Sequence, residues 1–355
     1  MKKTYQFLSG AAGATMLLSG CAASIAPEAP IAEVPITEEA HTEEAHIETA
    51  YDVVSVREEK VEYNQVANIN GQFHFNQDTL TPGDDIFNIF GTVLTGMCAK
   101  PGFSLENDKV DYYINIGGKI KHSYTVSLNE FADQETERIL LCVCATGAAT
   151  ANAQITGVKL SDVLSLAELQ EDVNTITVRG SDGYGLAMPL SYALEKEAMI
   201  VYKVNDQKLP SSTQFWVPGT VAKYFTRDVV DIELTAQAEA PVVDQRSDDL
   251  RAEVSILNAA DDCCFLLGDE IAFEGFADDC GDAIAAVEFS LDGGVTWTAY
   301  ETSNASPERW VYWNFSYTPE VAGTYKLDVR ARTQCGTVSP LAATLVFTVE
   351  PGAPI

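Results

Sequence analysis

The sequence predicts an α+β domain followed by an all-β sandwich, and three observations predict it. Between about 65 and 235, short apolar–polar alternations mix with stretches of helical periodicity, without a strand–helix–strand rhythm. A polar stretch from Ala236 to Asp249 (AQAEAPVVDQRSDD) then interrupts the pattern. From Ala252 to Val349 the chain reads as strand alternation with turn residues in between.

The chain begins with Lys2 and Lys3, followed by an uncharged run from Thr4 to Gly20. That run is too short to span a bilayer and reads as the apolar region of a signal peptide, residues 1–20. It ends in Leu18-Ser19-Gly20-Cys21, which resembles the lipobox of bacterial lipoproteins. The resemblance implies lipid attachment at Cys21 and a place in the cell envelope, anchored to a membrane on its extracytoplasmic side. Residues 21–64 then read as an acidic, disordered tether, punctuated by Pro27, Pro30 and Pro35. His41 and His46 lie among its glutamates, and a solvated charge run explains them.

Within 65–235, Val110 to Ile120 reads as a hairpin around Gly117-Gly118, and Ser127 to Phe131 opens a short helix. Arg138 to Cys144 (RILLCVC) is a buried strand, and Gly157 to Ala167 (GVKLSDVLSLA) is helical in period. Thr175 to Arg179 is a strand entering the turn Ser181-Asp182-Gly183-Tyr184. Strands follow at Ala198 to Val204 and Val229 to Leu234. Residues 236–250 read as a linker. Over 251–350, Glu270 to Phe276, Ile284 to Ser290, Trp310 to Tyr317 and Thr324 to Arg332 mark an immunoglobulin-like sandwich.

The formal charge of -30 argues against nucleic acid or an anionic membrane surface as a partner, since both would repel the chain. With four histidines in the chain, a His-rich metal site or a Ser-His-Asp hydrolase is disfavoured. Of the eight cysteines, Cys263, Cys264, Cys280 and Cys335 fall in the sandwich, where at least one disulfide is expected for an exported chain.

Two ordered sets of motifs resemble the sulfite oxidase family of molybdenum enzymes. The sandwich blocks Val287 to Trp297 (VEFSLDGGVTW), Trp310 to Tyr317 with Pro319, and Gly323 to Ala331 resemble its immunoglobulin-like dimerisation domain. The central blocks resemble its molybdopterin-binding domain. They are Ile114 to Gly118, Leu141-Cys142-Val143, Thr156 to Leu160, Ser181 to Tyr184, Leu209-Pro210, Trp216 to Gly219 and Ala222 to Arg227.

The resemblance implies a mixed α+β, sulfite oxidase-like molybdopterin-binding domain and a molybdenum-molybdopterin cofactor. A thiolate is a soft ligand suited to a transition metal. Cys142 sits where the family places its molybdenum-ligating cysteine, with Cys144 as the alternative on the same strand phase. Ser181, Asp182 and Gly183 form a turn that lets backbone approach a flat pterin, although a plain connecting turn reads the same way. Lys223 and Arg227, flanking Tyr224 and Phe225, fall where the family holds the pterin phosphate.

The sequence departs from sulfite-oxidising members at two places. Ala145 to Thr150 (ATGAAT) lacks the Asn and Arg that follow the cysteine in those members, and Gln214-Phe215 stands where an arginine precedes the proline motif. Lys2-Lys3 also replaces the twin arginines of folded export. The reading is an exported, membrane-anchored oxidoreductase performing two-electron oxygen-atom-transfer-type chemistry on a small molecule. It would use an electron-transfer partner and form a homodimer through the C-terminal domain. A cofactor-free binding or scaffold lipoprotein with the same fold is the alternative.

Overall fold

The computed structural model describes residues 61–82, 86, 112–145, 149–205, 207–208 and 213–352. The signal segment, Cys21, the tether as far as residue 60, and Cys98 lie outside the described residues. The chain divides into two units, Met1–Val61 and Glu62–Ile355, and every described strand belongs to the second.

That unit is built of strands: β1 (Gln72–Asn76), β2 (Tyr113–Gly118), β3 (Tyr124–Ser127), β4 (Thr136–Val143) and β5 (Thr150–Lys159). A four-residue α1 (Leu160–Val163) leads to β6 (Thr175–Gly180) and β7 (Ala187–Pro189). After α2 (Leu190–Glu195) come β8 (Met199–Val204), β9 (Gln207–Lys208), β10 (Gln214–Trp216) and β11 (Val229–Thr235). One sheet of this region has the order β10-β8-β5-β4, with β9 on β8, and the other the order β3-β2-β11-β6-β7. In the second sheet β11 runs parallel to β2, and the other pairs are antiparallel.

The sandwich strands are β12 (Glu253–Ile256), β13 (Cys263–Leu266), β14 (Ile271–Asp278), β15 (Ile284–Ser290) and β16 (Thr298–Glu301). β17 (Val311–Tyr317), β18 (Gly323–Thr333) and β19 (Ala343–Glu350) complete it. Its sheets are β1-β17-β14-β12 and β13-β19-β18-β15-β16. They enclose an aromatic core in which Phe289 stacks on Phe315 at 4.2 Å and meets Trp313 edge-on at 5.4 Å.

Several sequence expectations need correction. The described residues are dominated by strands, so the α+β expectation holds only loosely. Ser127 caps a 3-10 helix, Leu128–Gln134, through a capping box with Glu130. The helical period from 157 onward yields the end of β5 and then a single turn, α1. A run this short cannot offset the cost of helix nucleation, and pairing of Gly157 and Val158 with β8 captures its first half.

Gly117-Gly118 is not a hairpin turn either. Both residues continue β2, paired with Glu233 and Leu234 of β11. At Gly118 the φ of 92° and a Leu234 carbonyl 2.1 Å from where a Cβ would stand explain why glycine is required. The reversal into β3 comes after it, between Gly118 and Tyr124.

Domain boundaries shift as well. β1, expected in the 65–235 region, pairs with β17 in the sandwich, because Phe73 packs 6.1 Å from Phe289 and 5.2 Å from Tyr300. The polar 236–250 segment is largely exposed, but two of its residues are anchored: Val243 is buried in a core of the 65–235 region and Arg246 is wholly buried. No disulfide joins the sandwich cysteines; all four are free thiols. Cys280 is buried, with its Sγ 3.8 Å from the Thr220 carbonyl, whereas Cys264 and Cys335 face solvent.

Candidate functional site

Strand β4 carries the two thiols to the edge of the first core. Cys142 lies inside the ladder opposite Ala151, and Cys144 is the first residue beyond the strand. The Cys144 N–H donates to the Ala149 carbonyl at 2.8 Å, which extends the pairing of β4 with β5 by one more bond. Both cysteines are buried. Side chains alternate along a strand, so the two thiols share a face, with the small Ala151 and Ala153 beside them on β5.

The predicted pterin turn follows β6. The Gly180 N–H donates to the Tyr184 carbonyl at 2.8 Å, and the Tyr184 N–H donates to Asp182 Oδ1 at 3.0 Å. Ser181, Asp182 and Gly183 face solvent. Gly183 has φ 82°, and among the described residues no heavy atom lies within 4 Å of where its Cβ would stand, so a planar group could lie directly on this backbone.

The turn adjoins the predicted phosphate segment. The Ser181 N–H donates to the Asp228 carbonyl at 2.9 Å, and the Tyr184 hydroxyl donates to the Lys223 carbonyl at 2.6 Å. Ser181, Asp182, Gly183, Lys223 and Arg227 therefore occupy one neighbourhood. Arg227 is half-buried and bridges Gln214 of β10. Tyr224 is buried, and its hydroxyl accepts from the Asp244 N–H at 2.9 Å. The Lys223 ammonium lies over the Tyr224 ring at 5.7 Å and pairs with the Asp244 carboxylate. Beneath the segment, Trp216 stacks on Phe225 at 4.6 Å.

Sequence reasoning missed a buried ion cluster between the two regions. Arg246 Nη1 donates to Asp278 Oδ1 at 2.8 Å, and Nη2 donates to Thr150 Oγ1 at 3.0 Å and sits 3.3 Å from Glu253 Oε2. Burial pushes the Asp278 carboxyl up to about 7, against the opposing pull of Arg246. Burial likewise raises Glu253, and it pushes the Cys280 thiol up to about 12. Burial opposes charge on Arg246, but Asp278 and Glu253 outweigh it and hold the guanidinium above its usual range. The available signals were the apolar pair Val242-Val243 within a polar stretch and Asp278-Asp279 ending an apolar strand.

These residues fit a molybdopterin centre in their donor chemistry. Two buried thiols could supply soft ligands, the glycine turn is open, and the Lys223–Arg227 segment that adjoins it through backbone contacts carries two cationic side chains. Among the described residues no group of three or more His, Cys, Asp or Glu side chains could hold a metal ion.

Residues 102–242 match the family described as oxidoreductase molybdopterin binding domain. Among solved structures, the sulfane dehydrogenase SoxCD from Paracoccus pantotrophus has a similar fold, with a TM-score of 0.55 at 18% identity over 66% of this chain and 70% of that one. Fibronectin(III)-like modules of Clostridium thermocellum CbhA match 28% of this chain and 100% of theirs, at 14% identity and a TM-score of 0.24. No curated protein matches the chain. Residues 102–242 are thus similar to the molybdopterin-binding domain of oxidoreductases, and the fold is similar to that of the sulfane dehydrogenase SoxCD.

Proposed function

We propose that this chain is an exported oxidoreductase, lipid-anchored through Cys21, that uses molybdenum-molybdopterin for two-electron chemistry on a small molecule. The observation that carries the reading is the junction of the open turn at Gly183 with the Lys223–Arg227 segment, in the same domain as two buried thiols on one strand face. When bound, the cofactor would supply two-electron, oxygen-atom-transfer-type chemistry. Cys142 serves as the protein's metal ligand, with Cys144 the alternative. Ser181, Asp182 and Gly183 receive the pterin, and Lys223 and Arg227 neutralise its phosphate. A separate electron carrier completes the cycle, and the sandwich provides a homodimer contact.

With Ala145 to Thr150 and Gln214-Phe215 lacking the arginines of sulfite-oxidising members, the site favours a substrate with little negative charge. The overall charge of -30 favours the same class. Metal and pterin analysis of protein from its native host tests this reading: about one molybdenum or tungsten and one pterin per chain are expected. One observation favours the cofactor-free scaffold. Lys223 is already paired with Asp244, so part of the charge meant for a phosphate is neutralised. Absence of both metals, in cells whose other molybdenum enzymes are loaded, would establish the scaffold reading.

A further inference from the structure

Two residues of the 236–250 segment, Asp244 and Arg246, hold different parts of the first region. Asp244 pairs with Lys223, and its N–H donates to the Tyr224 hydroxyl. Arg246 reaches Thr150, the first residue of β5. Thr150 follows Ala149, whose carbonyl receives the Cys144 N–H.

The sandwich closes the other side of the guanidinium. Asp278 at the end of β14 and Glu253 at the start of β12 both bind it, and Glu253 Oε2 also accepts from Thr150 Oγ1 at 3.3 Å. Two residues beyond Asp278, Cys280 adopts φ 59° and turns its thiol toward the Thr220 carbonyl. Left-handed backbone costs a residue with a Cβ free energy and persists where the surroundings impose it.

The cluster is poorly built for stability alone. Arg246 and Asp278 have wholly buried side chains, yet Nε of the one and Oδ2 of the other have no hydrogen-bond partner among the described residues. Unpaired buried polar atoms are costly, and apolar residues in place of a buried ion pair are often at least as stable. What the fork of Arg246 provides is a fixed direction: one end grips the sandwich and the other grips the start of β5.

We infer that Arg246 is a positioning residue for Cys144, acting through Thr150 and Ala149 and braced by Asp278 and Glu253. The inference rests on reading Cys142 and Cys144 as the site's thiols, but its test needs no metal. The probe is iodoacetamide, applied to the cofactor-free full chain, with labelling of each cysteine followed by peptide mass spectrometry. The exposed Cys264 serves as the internal reference.

Loss of the tie should let the end of β4 open locally, so Arg246→Met should label Cys144 about tenfold faster relative to Cys264. Arg246→Lys keeps the charge without the fork and should fall between wild type and Arg246→Met. Thr150→Val removes the hydroxyl's bonds to Arg246 and Glu253 and leaves the Arg246–Asp278 pair in place. It should reproduce the Cys144 effect even if Arg246→Met fails to fold, while buried Cys280 stays slow. An unchanged Cys144 to Cys264 ratio in Thr150→Val would overturn the inference. A parallel rise at Cys280 in that variant would also overturn it, because it would show general loosening of the fold.

Discussion

The Tyr184 hydroxyl donates to the Lys223 carbonyl at 2.6 Å, and this bond fastens the glycine turn to the segment that carries the cationic side chains. Tyr184→Phe keeps the ring and removes the bond. The fold should lose about 0.5–1.5 kcal/mol, and cofactor retention should fall more than stability does. Thermal melts set beside metal content per chain check this, and equal retention in the two proteins would contradict it.

Lys223 and Asp244 give a charge test of opposite sign. Their pair is partly solvent-exposed, so breaking it should change stability by no more than about 1 kcal/mol. Lys223→Ala should lower cofactor occupancy by leaving the phosphate less well paired. Asp244→Asn should raise it, because the ammonium is no longer neutralised. A scaffold that binds no cofactor predicts no change in either variant.

Asp278 predicts how stability depends on pH. Burial raises its folded pKa to about 7, above the ordinary carboxyl value of 3.8. In that window the folded state holds a proton that the unfolded state has released, so stability falls as pH rises. The loss begins near the unfolded value and is complete once pH passes the folded one. Glu253, Asp279 and Arg246 surround the same carboxyl, so the comparison is of slopes: Asp278→Asn should flatten the fall of melting temperature between about pH 5 and 7. A variant with the wild-type slope would show that Asp278 is not the titrating group.

The envelope assignment depends on Cys21. Cys21→Ala should leave the protein soluble after detergent-free fractionation, since each buried methylene of an acyl chain contributes about 0.8 kcal/mol of membrane affinity. Full membrane retention of the variant would contradict lipid anchoring at this residue.

Much of the sandwich was legible because β14, β15, β17 and β18 are alternating runs whose apolar faces meet across one core. The turn at Gly183 and the segment from Lys223 to Arg227 were legible as motifs, but their contact was not. It runs through a side chain to a backbone carbonyl, which leaves no spacing signature. β1 was misplaced because pairing with β17 joins residues far apart in sequence. Arg246 was lost in a polar stretch for a related reason: its burial comes from Asp278, Glu253 and Thr150, each on a different strand.

The most direct test of the central claim is the number of sulfur donors at the metal, read by X-ray absorption on protein purified from the native host. Wild type should show the pterin's sulfurs plus one from the protein. Cys142→Ser should lose one sulfur and gain an oxygen, while Cys144→Ser should keep the full set. If only Cys144→Ser loses the sulfur, Cys144 is the ligand in place of Cys142. If the sulfur count is unchanged in both variants, neither thiol holds the metal, and a thiol-ligated centre on β4 is contradicted.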